Sequence, residues 1–191
     1  SQGSPYDYTD GGSMPDEGTD AYEIFTGKVN LQGVIMSATS DPTDYWVDVT
    51  FSNLDPAATY TFVATANRDG TGSGDPAYTE RFTRYTISGM DAATNASSSG
   101  VAVYDPEGYS VYFCTGYNTE NGYVAQWRNI RCGDDGSFTV RAQPQYPESP
   151  RTYAFGAFML AADEPDIPSL RITGTLNPFR TPPGTASSAQ T

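Results

Sequence analysis

The sequence predicts an all-β protein: a two-sheet antiparallel β-sandwich with extended arms at both ends. Three observations carry that prediction. From Tyr22 onward, apolar residues recur at every second position in one run after another, which is the period of a strand with one buried face. Gly, Pro, Asn and Asp gather between the runs, where turns need them. No segment has a convincing helical period, and "MDAATNASSSG" has room for one turn at most.

Residues 1–21 hold many carboxylates, Gly, Ser and Pro with no apolar periodicity, and read as a flexible acidic arm on which Tyr6, Tyr8 and Met14 are the docking candidates. In "KVNLQGVIMS", Val29, Leu31, Val34 and Met36 alternate, with Gly33 as a bulge. "YWVDVTF" puts Tyr45, Val47, Val49 and Phe51 on one face and Trp46, Asp48 and Thr50 on the other. "SNLDPAAT" turns the chain into "YTFVATA". "RFTRYTIS" groups Thr83, Tyr85 and Ile87, while "YSVYFC" and "GYVAQWRNI" flank a loop with Asn118, Asn121 and Gly122. "GDDGSFTVRA" turns into a strand burying Phe138, Val140 and Ala142, and "TYAFGAFML" is apolar on both faces, as a central strand would be. These runs make about nine strands, a sandwich number, and a jelly-roll-like winding is expected. The sandwich is assigned to residues 22–162, a linker to 163–168, and a C-terminal strand with a polar tail to 169–191.

Charge narrows the partners. The chain has 23 acidic residues against 10 basic ones, a net charge of -13, which repels nucleic acid and anionic membranes. No apolar run is long enough to span a bilayer, so no membrane insertion is expected. Few charges with much Gly, Ser, Thr and Tyr point to an extracellular, cell-surface protein. With no histidine there is no Ser-His-Asp or Cys-His machinery, and no GxSxG elbow replaces it. The glycines from Gly70 to Gly74 lack the following Lys of a phosphate loop. No enzyme is expected.

Two stretches carry a resemblance. "WVDVTFSNLDPAATYTFVATANRDG", with "GSFTVRA" and "YAFGAFML", resembles the galactose-binding-like jelly-roll modules of large secreted bacterial proteins, across roughly residues 22–162. That resemblance implies sugar binding or a structural spacer role, and no contact residue transfers by motif. "LRITGTLNPFRTPPGTASSAQT" resembles the opening of a bacterial Ig-like repeat.

The candidate site residues follow. Cys114 and Cys132 end a stretch that reads as a hairpin, so a disulfide is expected, with two buried free thiols as the alternative. Asn95 opens the sequon "NAS" and is the best glycosylation site. Trp46 and Trp127 each point away from an apolar strand face and are the candidate glycan-stacking rings, with core or interface as the alternative. No cofactor is expected. A structural calcium is the one option, at the acidic turns with Asp41 and Asp44, Asp69 and Asp75, or Asp134 and Asp135, although no D-x-D-x-D-G series is present.

In "SLRITGTL", Leu170, Ile172 and Leu176 share a face, and a strand with one apolar face must join a sheet. The leading expectation is a structural subunit of an extracellular filament or array, a head-to-tail homopolymer in which these side chains insert into a neighbouring copy. The alternative is a carbohydrate-binding module of a secreted multidomain protein.

Overall fold

A computed structural model of the chain describes residues 6–8, 11–38, 46–70, 77–145 and 151–163. They form twelve strands and one α-helix. A five-stranded antiparallel sheet contains β3 (Val47–Phe51), β5 (Phe82–Ser88), β7 (Ala102–Val103), β8 (Ser110–Cys114) and β10 (Phe138–Pro144), in the order β3-β10-β5-β8-β7. A four-stranded sheet contains β4 (Tyr60–Thr65), β6 (Ala92–Asn95), β9 (Ala125–Arg131) and β12 (Ala157–Ala162), in the order β12-β4-β9-β6. The two sheets pack face to face, as expected of a sandwich. A smaller sheet joins β1 (Tyr6–Tyr8), β2 (Val34–Ala38) and β11 (Arg151–Tyr153). The pairings β3·β10, β4·β9 and β5·β8 nest around the β6–β7 connection, so the chain is one long hairpin wound over two sheets, the jelly-roll principle.

Period-two sequence sets which side chains line the space between the sheets. β5 buries Thr83, Tyr85 and Ile87, and β10 buries Phe138, Val140 and Ala142, as expected. Val47, Val49 and Phe51 of β3 pack against the same core, half-buried. Across the gap, β4 supplies Phe62 and β9 supplies Trp127, whose ring stacks on Phe62 with centroids 6.4 Å apart. Each fully buried large side chain contributes about 1.5–3 kcal/mol of transfer free energy.

Part of the outer face of the four-stranded sheet is covered. Helix α1 (Asp20–Phe25) starts at Thr19, whose Oγ1 accepts from the Tyr22 amide, and Asp20 and Glu23 suit the positive end of its first turn. Ala21 and Phe25, four residues apart, lie on one helix face and bury with Leu31 against Val63, Val124 and Ala157, with Met14 alongside. The helix was not expected, because a six-residue helix shows only one such apolar pair and a period cannot be read from it. Residues 11–21, expected as part of an acidic arm, are tied down here: the Gly12 amide donates to Gln32 O and the Asp16 amide to Thr119 O.

Asn118 locks the loop before β9. It is fully buried; its Nδ2 donates to Tyr123 O, Ala66 O and Thr65 Oγ1, and its Oδ1 accepts from the Tyr123 amide. Asn67 Oδ1 in turn accepts from the Asn118 amide.

Three expectations are corrected. Cys114 and Cys132 are free thiols. Their strands do not pair with each other: β8 pairs with β5 and β7, whereas β9, which ends just before Cys132, pairs with β4 and β6 in the opposite sheet. Cys132 is in the inter-sheet core, and Cys114 alternates with core-facing Phe113 and donates to Tyr78 O. Burial pushes the Cys114 thiol pKa up. "TYAFGAFML" is two strands, not one central strand, with Gly156 between them, and β12 is at an edge of its sheet with β4 as its partner. The first run begins as a strand only at Val34; Leu31 instead plugs the cluster beneath α1.

Candidate ligand-binding face

The outer face of the five-stranded sheet is built from the residues that alternate with the core. On β5 these are Arg84, Thr86 and Ser88; on β10 they are Thr139, Arg141 and Gln143. Register sets them in rows across the sheet. Asp48 of β3 stands opposite Arg141, Arg141 opposite Thr86, and Thr86 opposite Ser110 of β8. Tyr104, just after β7, continues that row by donating its amide to Ser110 O. In the next row Gln143 stands opposite Arg84, and Arg84 opposite Tyr112. The face is therefore an array of hydroxyl, amide and guanidinium groups, with an aromatic ring towards each side.

Each ring carries an arginine. The Arg141 guanidinium carbon lies 4.5 Å from the Trp46 ring centroid, and that of Arg84 lies 4.3 Å from the Tyr104 centroid, both within cation–π range. Tyr104 is 54% exposed. Beside Tyr104 is an open cleft of about 500 Å³ lined by Arg84, Thr86, Tyr104, Asp105, Ser110 and Arg141, among others, with Trp46 outside that lining, against Arg141. Hydroxyls pair on this face, Thr86 with Ser110 in the cleft and Thr50 with Thr139 at 2.9 Å beside it. A hydroxyl donates once and accepts twice, so such pairs keep spare capacity for a ligand's hydroxyls.

The electrostatics of the two arginines differ. Arg141 is paired by a two-pronged bond to Asp48, Nε to Oδ1 and Nη2 to Oδ2, both 2.8 Å. That hydrogen bond holds the Asp48 carboxyl below its usual range and raises Arg141. Arg84 has no carboxylate partner among the described residues, and its Nε is sealed from solvent with no hydrogen-bond acceptor.

Of the residues singled out in the sequence, only Trp46 belongs to this face. Trp127 does not: it is 0% exposed, packed between the sheets, and its Nε1 donates to Gly108 O at 2.8 Å. A register shift where β9 meets β4 and β6 breaks the simple alternation that had pointed it outward. Asn95 ends β6, and its Oδ1 accepts from the Ser97 amide in a local turn. Asp69 accepts from Thr119, and Asp135 from the amide and hydroxyl of Ser137. Among the described residues no cluster of three or more acidic, Cys or His side chains is placed to hold a metal. Asp41, Asp44, Asp75, Leu170, Ile172 and Leu176 lie outside the described residues.

Sequence reasoning passed over Arg84, Arg141, Tyr104, Thr86 and Ser110. Alternation already placed Arg84 and Thr86 opposite the Tyr85 face, but which strands would become neighbours is not written in any one run. Among the described residues no helix is long and apolar enough to cross a membrane. No family model matches the chain, and no curated protein or solved structure is significantly similar to it.

Proposed function

We propose that this domain is a carbohydrate-binding module of a secreted multidomain protein, and that it binds its glycan on the outer face of the five-stranded sheet. The observation that carries the reading is the cleft walled by Tyr104 and floored by polar side chains, with Trp46 on the same face against the lining Arg141. A sugar offers apolar C–H faces and a rim of hydroxyls, and this surface offers rings for the first and hydroxyl, amide and guanidinium groups for the second. The outer face of the opposite sheet is partly covered, where α1 packs over Val63, Val124 and Ala157. The reading is of binding without catalysis: Asp48 is held by Arg141, and Asp105 Oδ1 accepts from the Tyr109 amide. Glycan-array screening followed by calorimetry tests it, with Trp46→Ala and Tyr104→Ala each expected to weaken binding about two- to tenfold, the worth of one aromatic contact. Unchanged affinity in both variants would remove this face from the account.

A second reading has its own support. β3 and β12 are neighbouring edges of the two sheets. Between them Phe51, Leu160 and the 40%-exposed Phe158 leave the core incompletely closed. An added strand carrying Leu170, Ile172 and Leu176 would cover that gap, and supplied by a second copy it would build the filament expected from the sequence. Ile172→Asp with Leu176→Asp should abolish assemblies seen by negative-stain microscopy. Normal fibres from that double variant would end this reading.

A further inference from the structure

Resting on the carbohydrate reading, we infer that the cleft selects saccharides bearing a carboxylate, and that Arg84 is the group that recognises it. The sheet supplies its own comparison. Arg141 shows what a guanidinium fork on this face binds when an acid is in reach: both oxygens of Asp48, through Nε and Nη2. Arg84 lines the cleft from the adjacent strand, opposite Gln143 rather than an acid, and with its Nε sealed from solvent the edge it can offer a ligand is the Nη1–Nη2 pair. It has no carboxylate partner among the described residues, although the chain carries 23 acidic residues against 10 basic ones. A planar carboxylate matches the paired donors of a guanidinium edge better than any neutral sugar group does.

The surroundings fit an acidic sugar. The Arg84 guanidinium lies over the Tyr104 ring. The hydroxyls of Thr86 and Ser110, in the adjoining row, lie where a sugar ring attached to that carboxylate would need partners. Asp105, the acid at this margin, has Oδ1 engaged by the Tyr109 amide. A local site is needed because the protein's overall field repels anions, so recognition is expected to strengthen with salt at long range while the short-range fork bond persists.

The test is calorimetry on the intact chain with oligosaccharides of galacturonate, glucuronate and mannuronate, each beside its methyl ester, which keeps the ring and removes the charge. At least one acid series should bind tenfold or more tightly than its ester. Arg84→Gln should erase that preference, and Arg84→Lys, keeping charge without the fork, should restore only part of it. Equal affinity for acid and ester, or a preference that survives Arg84→Gln, overturns the inference and leaves neutral sugar recognition standing. Failure of every saccharide, charged or neutral, on both the array and in calorimetry overturns the carbohydrate reading with it. If Arg84→Gln does not give a parent-like melting curve, the acid-against-ester comparison on the parent and the Arg84→Lys result decide.

Discussion

Replacing Trp127 with Phe separates the two tryptophans by what each does. Trp127 is wholly buried, stacks on Phe62 and donates its indole N–H to Gly108 O at 2.8 Å. Phenylalanine keeps a ring but strands that carbonyl, which costs about 1–3 kcal/mol. It also removes about two methylene equivalents of buried surface, ~1.5 kcal/mol. The loss of about 2.5–4.5 kcal/mol should lower the melting temperature by roughly 5–18 °C in a domain of this size. Trp46→Phe removes only part of a half-buried ring lying against Arg141, and should change stability by about 0.5 kcal/mol or less. Thermal melts followed by circular dichroism give both values. Acrylamide quenching adds an independent readout: the remaining Trp127 in Trp46→Phe should be protected, and the remaining Trp46 in Trp127→Phe should be quenched. A Trp127→Phe protein melting with the parent, or a freely quenched Trp127, would refute the placement of the two rings and the face built on it.

Other consequences are as direct. Asn118→Ala strips a buried knot of its donors and its acceptor and should cost about 2–4 kcal/mol in chemical denaturation. Both thiols should be free: intact mass without reductant should show no loss of two hydrogens, the melting temperature should not move on adding reductant, and Cys132 should resist alkylation until the protein unfolds. The Asp48–Arg141 pair sets a pH dependence. The folded pKa of Asp48 is lowered, so its contribution is present above the ordinary carboxylate range and is lost as pH falls through the lowered value. Arg141 is 40% exposed, which limits that contribution to about 0.5–1 kcal/mol, and Asp48→Asn should flatten the acid side of the melting-temperature profile by that amount.

Much of the sandwich was legible because alternation is a local property. Tyr85 and Ile87, or Phe138 and Val140, are written two apart and bury two apart. The wider plan was not local. The stretch from Cys114 to Cys132 looks like a hairpin, yet its two strands belong to different sheets, because in a wound hairpin most pairing is between strands far apart in sequence. Trp127 was misplaced for a related reason, since one irregularity in register inverts which face a side chain takes. The site shows the same limit. Trp46 could be read as outward-facing, but Arg141 and Tyr104 join the face only through neighbours on other strands. Helix α1 was hidden because a single turn anchored by Ala21 and Phe25 is stabilised by the sheet beneath it more than by its own pattern.

The central claim is that ligand binds on the outer face of the five-stranded sheet. Amide and side-chain NMR shift mapping during titration with the tightest saccharide from the array tests it most directly. Shifts should concentrate at the Trp46 indole, Arg84, Thr86, Tyr104 and Ser110, while Trp127 and the α1 face stay still. Shifts centred on α1 or on the β6 edge, with this face silent, would contradict it.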